Sequence, residues 1–119
     1  MSMIDTPNIE LLERYLNLAS FRQGLISSNI ANIDTPGYKT VDIDFQRELN
    51  RAMTAPEGDS TPLVEQVTGL IERPDGNNVS IDRESLALSQ TQMQFNAAVQ
   101  LVRAEFKNLT DAISGGTGS

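Results

Sequence analysis

Two runs of apolar residues, one toward each end of the chain and both advancing by alternating steps of three and four, constrain this fold more than any other feature. In the first, Ile9, Leu12, Leu16, Ala19, Ile26, Ile30 and Ile33 follow that rhythm, with Gln23 in the one missing place. The spacing predicts a helix over 8–33 with a heptad-like seam. A second row, Leu11, Tyr15, Leu18 and Leu25, flanks the seam and makes the apolar face wider than one partner helix covers. Near the other end Leu88, Phe95, Val99, Val102, Phe106, Leu109 and Ile113 keep the rhythm, with Gln92 in the gap, and predict a helix over 82–113. Met93, Ala97, Ala98, Leu101 and Ala104 widen that face too. At ~1.5 Å per residue each helix is about 40 Å long.

The punctuation between the runs is local and legible. Thr6-Pro7-Asn8 opens the first helix, with Asn8 as the capping candidate. Asp34-Thr35-Pro36-Gly37 ends it, because the position before proline and the Pro-Gly pair both oppose helix. Pro36-Gly37 fits a type II turn with Gly37 at positive φ. A shorter helix is expected over 44–54, where Asp42 and Asp44 sit at a cap and Phe45, Leu49 and Met53 recur every four residues. Residues 54–62 read as loop. Leu63–Val67 and Val79–Ile81 lean toward β structure around the turn Pro74-Asp75-Gly76-Asn77, as extended pieces or a small hairpin. Asp82 is the expected cap of the last helix, with Glu84 favouring its dipole. The expected fold is mainly α in one domain over 1–113. Long N- and C-terminal helices form a coiled-coil-like pair, and a central 34–81 segment holds a turn, a short helix and a β-leaning stretch. A Gly/Ser-rich tail at 114–119 reads as flexible.

Composition narrows the function. Sixteen acidic residues against nine basic ones give a formal charge of -7, which opposes nucleic acid and anionic membrane surfaces as partners. The chain has neither cysteine nor histidine, so thiol nucleophiles, zinc–thiolate sites and imidazole acid–base chemistry are excluded. Asp42, Asp44 and Glu48 are the one close carboxylate group, and capping explains them better than catalysis. Asp75-Gly76-Asn77-Asn78 through Asp82 resembles a calcium loop only loosely, since its glycine sits at the second position instead of the sixth. No catalytic residue, cofactor, metal or small-molecule substrate is expected. No apolar run approaches the ~20 residues of a membrane span. The opening Met1-Ser2-Met3-Ile4-Asp5 lacks the basic and apolar regions of a cleavable signal peptide.

Taken alone, the stripes fit two arrangements. One is a self-contained antiparallel hairpin, as in a soluble helical adaptor. The other is a pair of ends with more apolar face than they cover mutually, ordered fully only in an assembly.

The stretch from Ser28 to Phe45 favours the second. Asn29-Ile30-Ala31-Asn32 followed by Thr35-Pro36-Gly37-Tyr38 strongly resembles the N-terminal signature of the flagellar basal-body rod protein family. Asp42-Ile43-Asp44-Phe45, and Asp75-Gly76-Asn77-Asn78-Val79 leading into Asp82-Arg83-Glu84, resemble the proximal rod branch of that family. The resemblance covers about 8–50 and 74–113. Ser80 departs from it, standing where many relatives carry an acidic residue.

The family implies a structural subunit, exported unfolded without a cleaved signal and polymerised in the periplasm through its terminal helices. The product is a hollow shaft that transmits torque and passes later subunits. Implied partners are other copies, neighbouring rod subunits, the adaptor joining rod to membrane ring, and the export gate. On this reading Leu12, Leu16, Ile26, Ile30, Phe95, Val99, Val102, Phe106 and Leu109 form the helix–helix seam, while Asn29, Asn32, Pro36, Gly37 and Tyr38 shape the joint where the first helix turns outward.

Overall fold

A computed structural model describes residues 7–54 and 61–118. Helix α1 spans Pro7–Ala31, strand β1 Val41–Asp42, helix α2 Phe45–Thr54, strand β2 Glu65–Gln66 and helix α3 Ile81–Gly118. The molecule is a rod of 70 × 27 × 18 Å, as expected when two long helices dominate.

α1 and α3 run antiparallel. Asn8 near the start of α1 donates to Glu105, and Asn29 near its end donates to Glu84, so equal steps along the two helices mark one register. α1 also packs on α2 and β1, which accounts for its wide apolar face. Tyr15 of the flanking row meets Phe45 of α2 edge-to-face, 5.1 Å between centroids and 78° between planes. Arg14 donates through Nη1 to the Ala52 carbonyl, meeting an acceptor in the last turn of α2.

The helix starts correct the sequence reading twice. Pro7 occupies the first turn of α1, where a missing N–H costs nothing. Asn8 therefore lies inside the helix and binds Glu105 instead of capping. At α3 the cap is Ser80, not Asp82: its Oγ accepts from the Arg83 N–H at 3.2 Å and its carbonyl from the Glu84 N–H at 2.9 Å. An aspartate at 80 would accept the same bonds. α2 starts as expected, with Asp44 Oδ1 accepting from the Arg47 N–H.

Three further boundaries differ. α1 ends at Ala31, two residues before the expected 33. β2 pairs antiparallel with β1, Val41 opposite Gln66 and Asp42 opposite Glu65, instead of forming a local hairpin with 79–81. Val79 is buried and Ile81 already belongs to α3. α3 runs on to Gly118, through most of the stretch read as a tail, since adding a turn to an existing helix avoids the cost of nucleation. Residue 119 and most of the expected 54–62 loop lie outside the described residues. Among those described, no helix is long and apolar enough to cross a membrane.

Candidate interaction site

The end of α1 is built around one amide. Asn29 is completely buried, and its side chain makes four hydrogen bonds. Nδ2 donates to the Val41 carbonyl at 2.9 Å and to Glu84 Oε1 at 2.6 Å. Oδ1 accepts from the Tyr38 hydroxyl at 2.9 Å and the Val41 N–H at 3.2 Å. Both donors and both acceptor positions of the amide are filled. One residue thus ties α1 to the turn, to the edge of β1 and to the first turn of α3.

A chain of charges continues from it. Glu84 Oε2 accepts from Arg83 Nη1 at 2.7 Å, and Arg83 Nη2 donates to Asp42 Oδ2 at 2.7 Å. Arg22 of α1 grips the same carboxylate with two bonds of 3.1 Å. Burial pushes the Asp42 carboxyl up, but Arg22, Arg83 and the Ile43 N–H outweigh it and hold the group below the usual carboxylate range. Burial likewise lowers Arg83, and its bonds to Asp42 and Glu84 raise it overall. Asp42 is thus an ion-pair partner, and Glu48 is buried between Arg47 and Arg51.

A second set of bonds laces the loop before α3 onto the turn after α1. Tyr38 N–H donates to the Thr35 carbonyl at 3.2 Å with Gly37 at φ 76, the type II turn expected from Pro36-Gly37. Asn77 Nδ2 donates to the Asn32 and Thr35 carbonyls at 2.9 and 2.8 Å, adding a second bond to each of these acceptors in the turns that follow α1. Asn78 Oδ1 accepts from both the N–H and hydroxyl of Thr40. Arg73 donates to the Ile33 and Val79 carbonyls. Asp75-Gly76-Asn77 is a tight turn, closed by the Gly76 N–H on the Arg73 carbonyl at 2.8 Å and by Asn77 N–H on Asp75 Oδ1. Gly37 donates its N–H to the Asp75 carbonyl, and its Cα lies where a Cβ on Gly76 would meet it at 3.4 Å, so the two turns touch backbone to backbone.

A family model described as "Flagella basal body rod protein" matches residues 14–39, the segment from mid-α1 through the Pro36-Gly37 turn. The flagellar basal body rod protein FlgB of Buchnera aphidicola subsp. Acyrthosiphon pisum is 31% identical over 121 residues, covering 87% of this chain and 91% of that protein. That of Bacillus subtilis is 31% identical, covering 91% and 94%. The Salmonella typhimurium protein of the same name is 29% identical, covering 85% and 88%. The chain belongs to the flagellar basal body rod protein family.

In this rod protein the expected joint residues come together. Asn29 is its centre; Asn32 is half-buried, holding the Ser28 carbonyl with Nδ2 and accepting from the Thr35 hydroxyl. Pro36 and Gly37 are exposed on the turn, and Tyr38 is half-buried against Asn29. The expected seam divides. Ile26 is buried and Leu12, Leu16, Ile30, Val99, Val102 and Leu109 are half-buried, but Phe95 and Phe106 lie outside it, 36% and 39% exposed.

Among the described residues, the positions that α3 buries are Glu84, Ala87, Thr91 and Ala98. Thr91 satisfies its hydroxyl within the helix, on the Ala87 carbonyl at 2.7 Å. The bulky row runs one residue later and lies at the edge of the contact, with Leu88, Val99, Val102 and Leu109 half-buried and Phe95 and Phe106 exposed. Sequence reasoning missed Arg22, Thr40, Arg83 and the buried role of Glu84. The acidic and amide residues of Asp42–Phe45 and Asp75–Glu84 were the available signal, since uncharged reasons for such a density are few.

Proposed function

We propose that this chain, a structural subunit of the flagellar basal body rod, sits at the proximal end of the shaft and polymerises there through the outer faces of its two long helices. The observation that carries this reading is the apolar surface that α3 leaves uncovered beside its buried row. Leu86 and Met93 on one flank and Phe95 and Phe106 on the other are 61%, 71%, 36% and 39% exposed. Between Glu84 and Arg103 the helix carries no charge. Large apolar side chains exposed on both flanks of a long helix have the composition of an interface core and not of a solvated surface.

Export through the flagellar apparatus, assembly in the periplasm, transmission of torque and passage of later subunits through a lumen belong to the same reading. So do other copies, neighbouring rod subunits, the rod–ring adaptor and the export gate as partners. The role is structural and not catalytic: every carboxylate singled out in the sequence as a catalytic candidate is committed to a cap or an ion pair.

The test is a deletion strain with complementation. Cells lacking the chain should be non-motile, and their isolated basal bodies should show membrane rings without a rod. Restoring the gene should restore both, with an epitope on the chain labelled at the base of the rod. Complete rods in the deletion strain would remove the proposal.

A further inference from the structure

Ile71, on the loop after β2, is 90% exposed, more than any other large apolar residue described. Its loop is held from below: Lys39 pairs with Glu72, and Arg73 donates to the Ile33 and Val79 carbonyls. The side chain is therefore a knob on a fixed base, and seating it costs little ordering. Among the described residues, the N–H groups of Leu70 and Ile71 donate to no protein acceptor.

A matching hole lies elsewhere on the same chain. An apolar groove of about 270 Å³ runs between α1, α2 and α3, bordered by Leu11, Leu12, Tyr15, Leu49, Met53 and Leu101. A cavity of roughly 150 Å³ holds benzene, so this groove has room for an isoleucine side chain. Gln94 also borders it, and its buried Oε1 finds no donor among the described residues. A buried acceptor left in that state costs free energy that an incoming N–H recovers. The knob thus brings both things the groove lacks, apolar volume and a donor.

Knob and groove cannot meet within one chain. Arg14 of α1 reaches α2 at Ala52, beside the groove, whereas Arg73 reaches Ile33, beyond the other end of α1. From Arg14 to the helix end at Ala31 is about 25 Å. We propose that Ile71 of one copy seats in the groove of a second copy, with a loop N–H donating to Gln94 Oε1. A copy is the occupant because the chain itself carries the complementary part. Charge agrees: chains at -7 repel one another, and no charged residue borders the groove. Two different patches meet in such a contact, so each copy keeps one knob and one groove free. The contact is head-to-tail and repeats into a ring or an open helical filament, where a two-fold dimer would stop. It rests on the reading of the chain as a polymerising subunit, and adds to the helix faces a contact with a direction.

Disulfide trapping tests it, since the chain has no cysteine of its own. Leu70→Cys and Met53→Cys, purified as separate full-length variants, mixed and oxidised, should cross-link at least tenfold faster than Leu70→Cys mixed with Gln100→Cys, an exposed position outside the groove. Adding Ile71→Asp to the Leu70→Cys chain should bring the rate down to that control. Ala97→Phe, which fills the groove from an exposed position, should do the same in the Met53→Cys chain with its circular dichroism unchanged. Leu70→Cys and Met53→Cys combined in one chain should give a ladder of dimers, trimers and longer products. Cross-linking at the control rate, or insensitive to Ile71→Asp, would overturn the contact. So would a doubly substituted chain that stops at dimers, or one that closes its disulfide internally and so fills its own groove. The deletion strain tests the rod reading separately: no rods there and no ladder here would remove this contact alone.

Discussion

Asn29 donates its side-chain amide to the Glu84 carboxylate at 2.6 Å, and both side chains are completely buried. This contact joins the end of the first long helix to the beginning of the last across a sequence separation of 55. Asn29→Ala strands a buried carboxylate oxygen, the Tyr38 hydroxyl and the Val41 N–H and C=O at once. The expected loss is about 2–5 kcal/mol. Urea unfolding of the purified chain checks it; a loss below about 1 kcal/mol would show that the joint tolerates unpaired groups. Asn29→Asp should be no milder at neutral pH, since it sets a second carboxylate against Glu84.

Asp42 makes stability depend on acidity in a defined direction. Its carboxyl is pushed up by burial but held below its ordinary value by Arg22, Arg83 and the Ile43 N–H. The folded chain therefore binds this proton more weakly than the unfolded chain. The contribution is fully present above the unfolded value, about pH 4, and is lost as pH falls through the depressed folded value. Urea midpoints of the wild type and Asp42→Asn should be well separated at pH 7 and converge below pH 4. A separation unchanged down to pH 2 would contradict the ion-pair assignment.

Two glycines should respond in opposite ways to alanine. Gly76 sits at φ 86 with the Gly37 backbone 3.4 Å from an added Cβ. Gly76→Ala should cost about 1–2 kcal/mol, because an L side chain is strained in that region. Gly24 is an exposed residue inside α1 with nothing within 4 Å of an added Cβ. Gly24→Ala should stabilise the isolated chain by about 0.5–1 kcal/mol through helix propensity. Thermal unfolding of both variants decides, and a shift of the same sign in both would contradict the backbone geometry.

Val102 is half-buried on α3, within the stretch that carries no charge until Arg103. Val102→Asp places a charge there at a cost on the order of 2 kcal/mol to the isolated chain. The larger effect is expected on assembly. Cells carrying only this variant should spread poorly in soft agar although the protein is made and folded by circular dichroism. Normal motility would count against helix-mediated polymerisation.

Much of this protein is decided within a few residues of chain. The 3–4 rhythm sets two long helices, Pro36-Gly37 sets a turn at φ 76, and Asp44 sets the start of α2. The string from Asn29 to Tyr38 names the family, because those residues must suit one joint at once. Such features are legible since helix, cap and turn depend on neighbours in sequence.

Tertiary structure decided which face is inside. α3 offers a small row through Ala87, Thr91 and Ala98 and a bulky row through Phe95 and Phe106, and both repeat with the period of a helix. Periodicity alone favours the bulky row; packing against α1 buries the row that lies one residue earlier. Likewise β2 finds β1 and not its nearer neighbour, and Glu84 becomes the buried partner of Asn29 instead of a first-turn charge in water. Those outcomes rest on contacts between distant residues, whose free energy exists only once the chain has closed on itself.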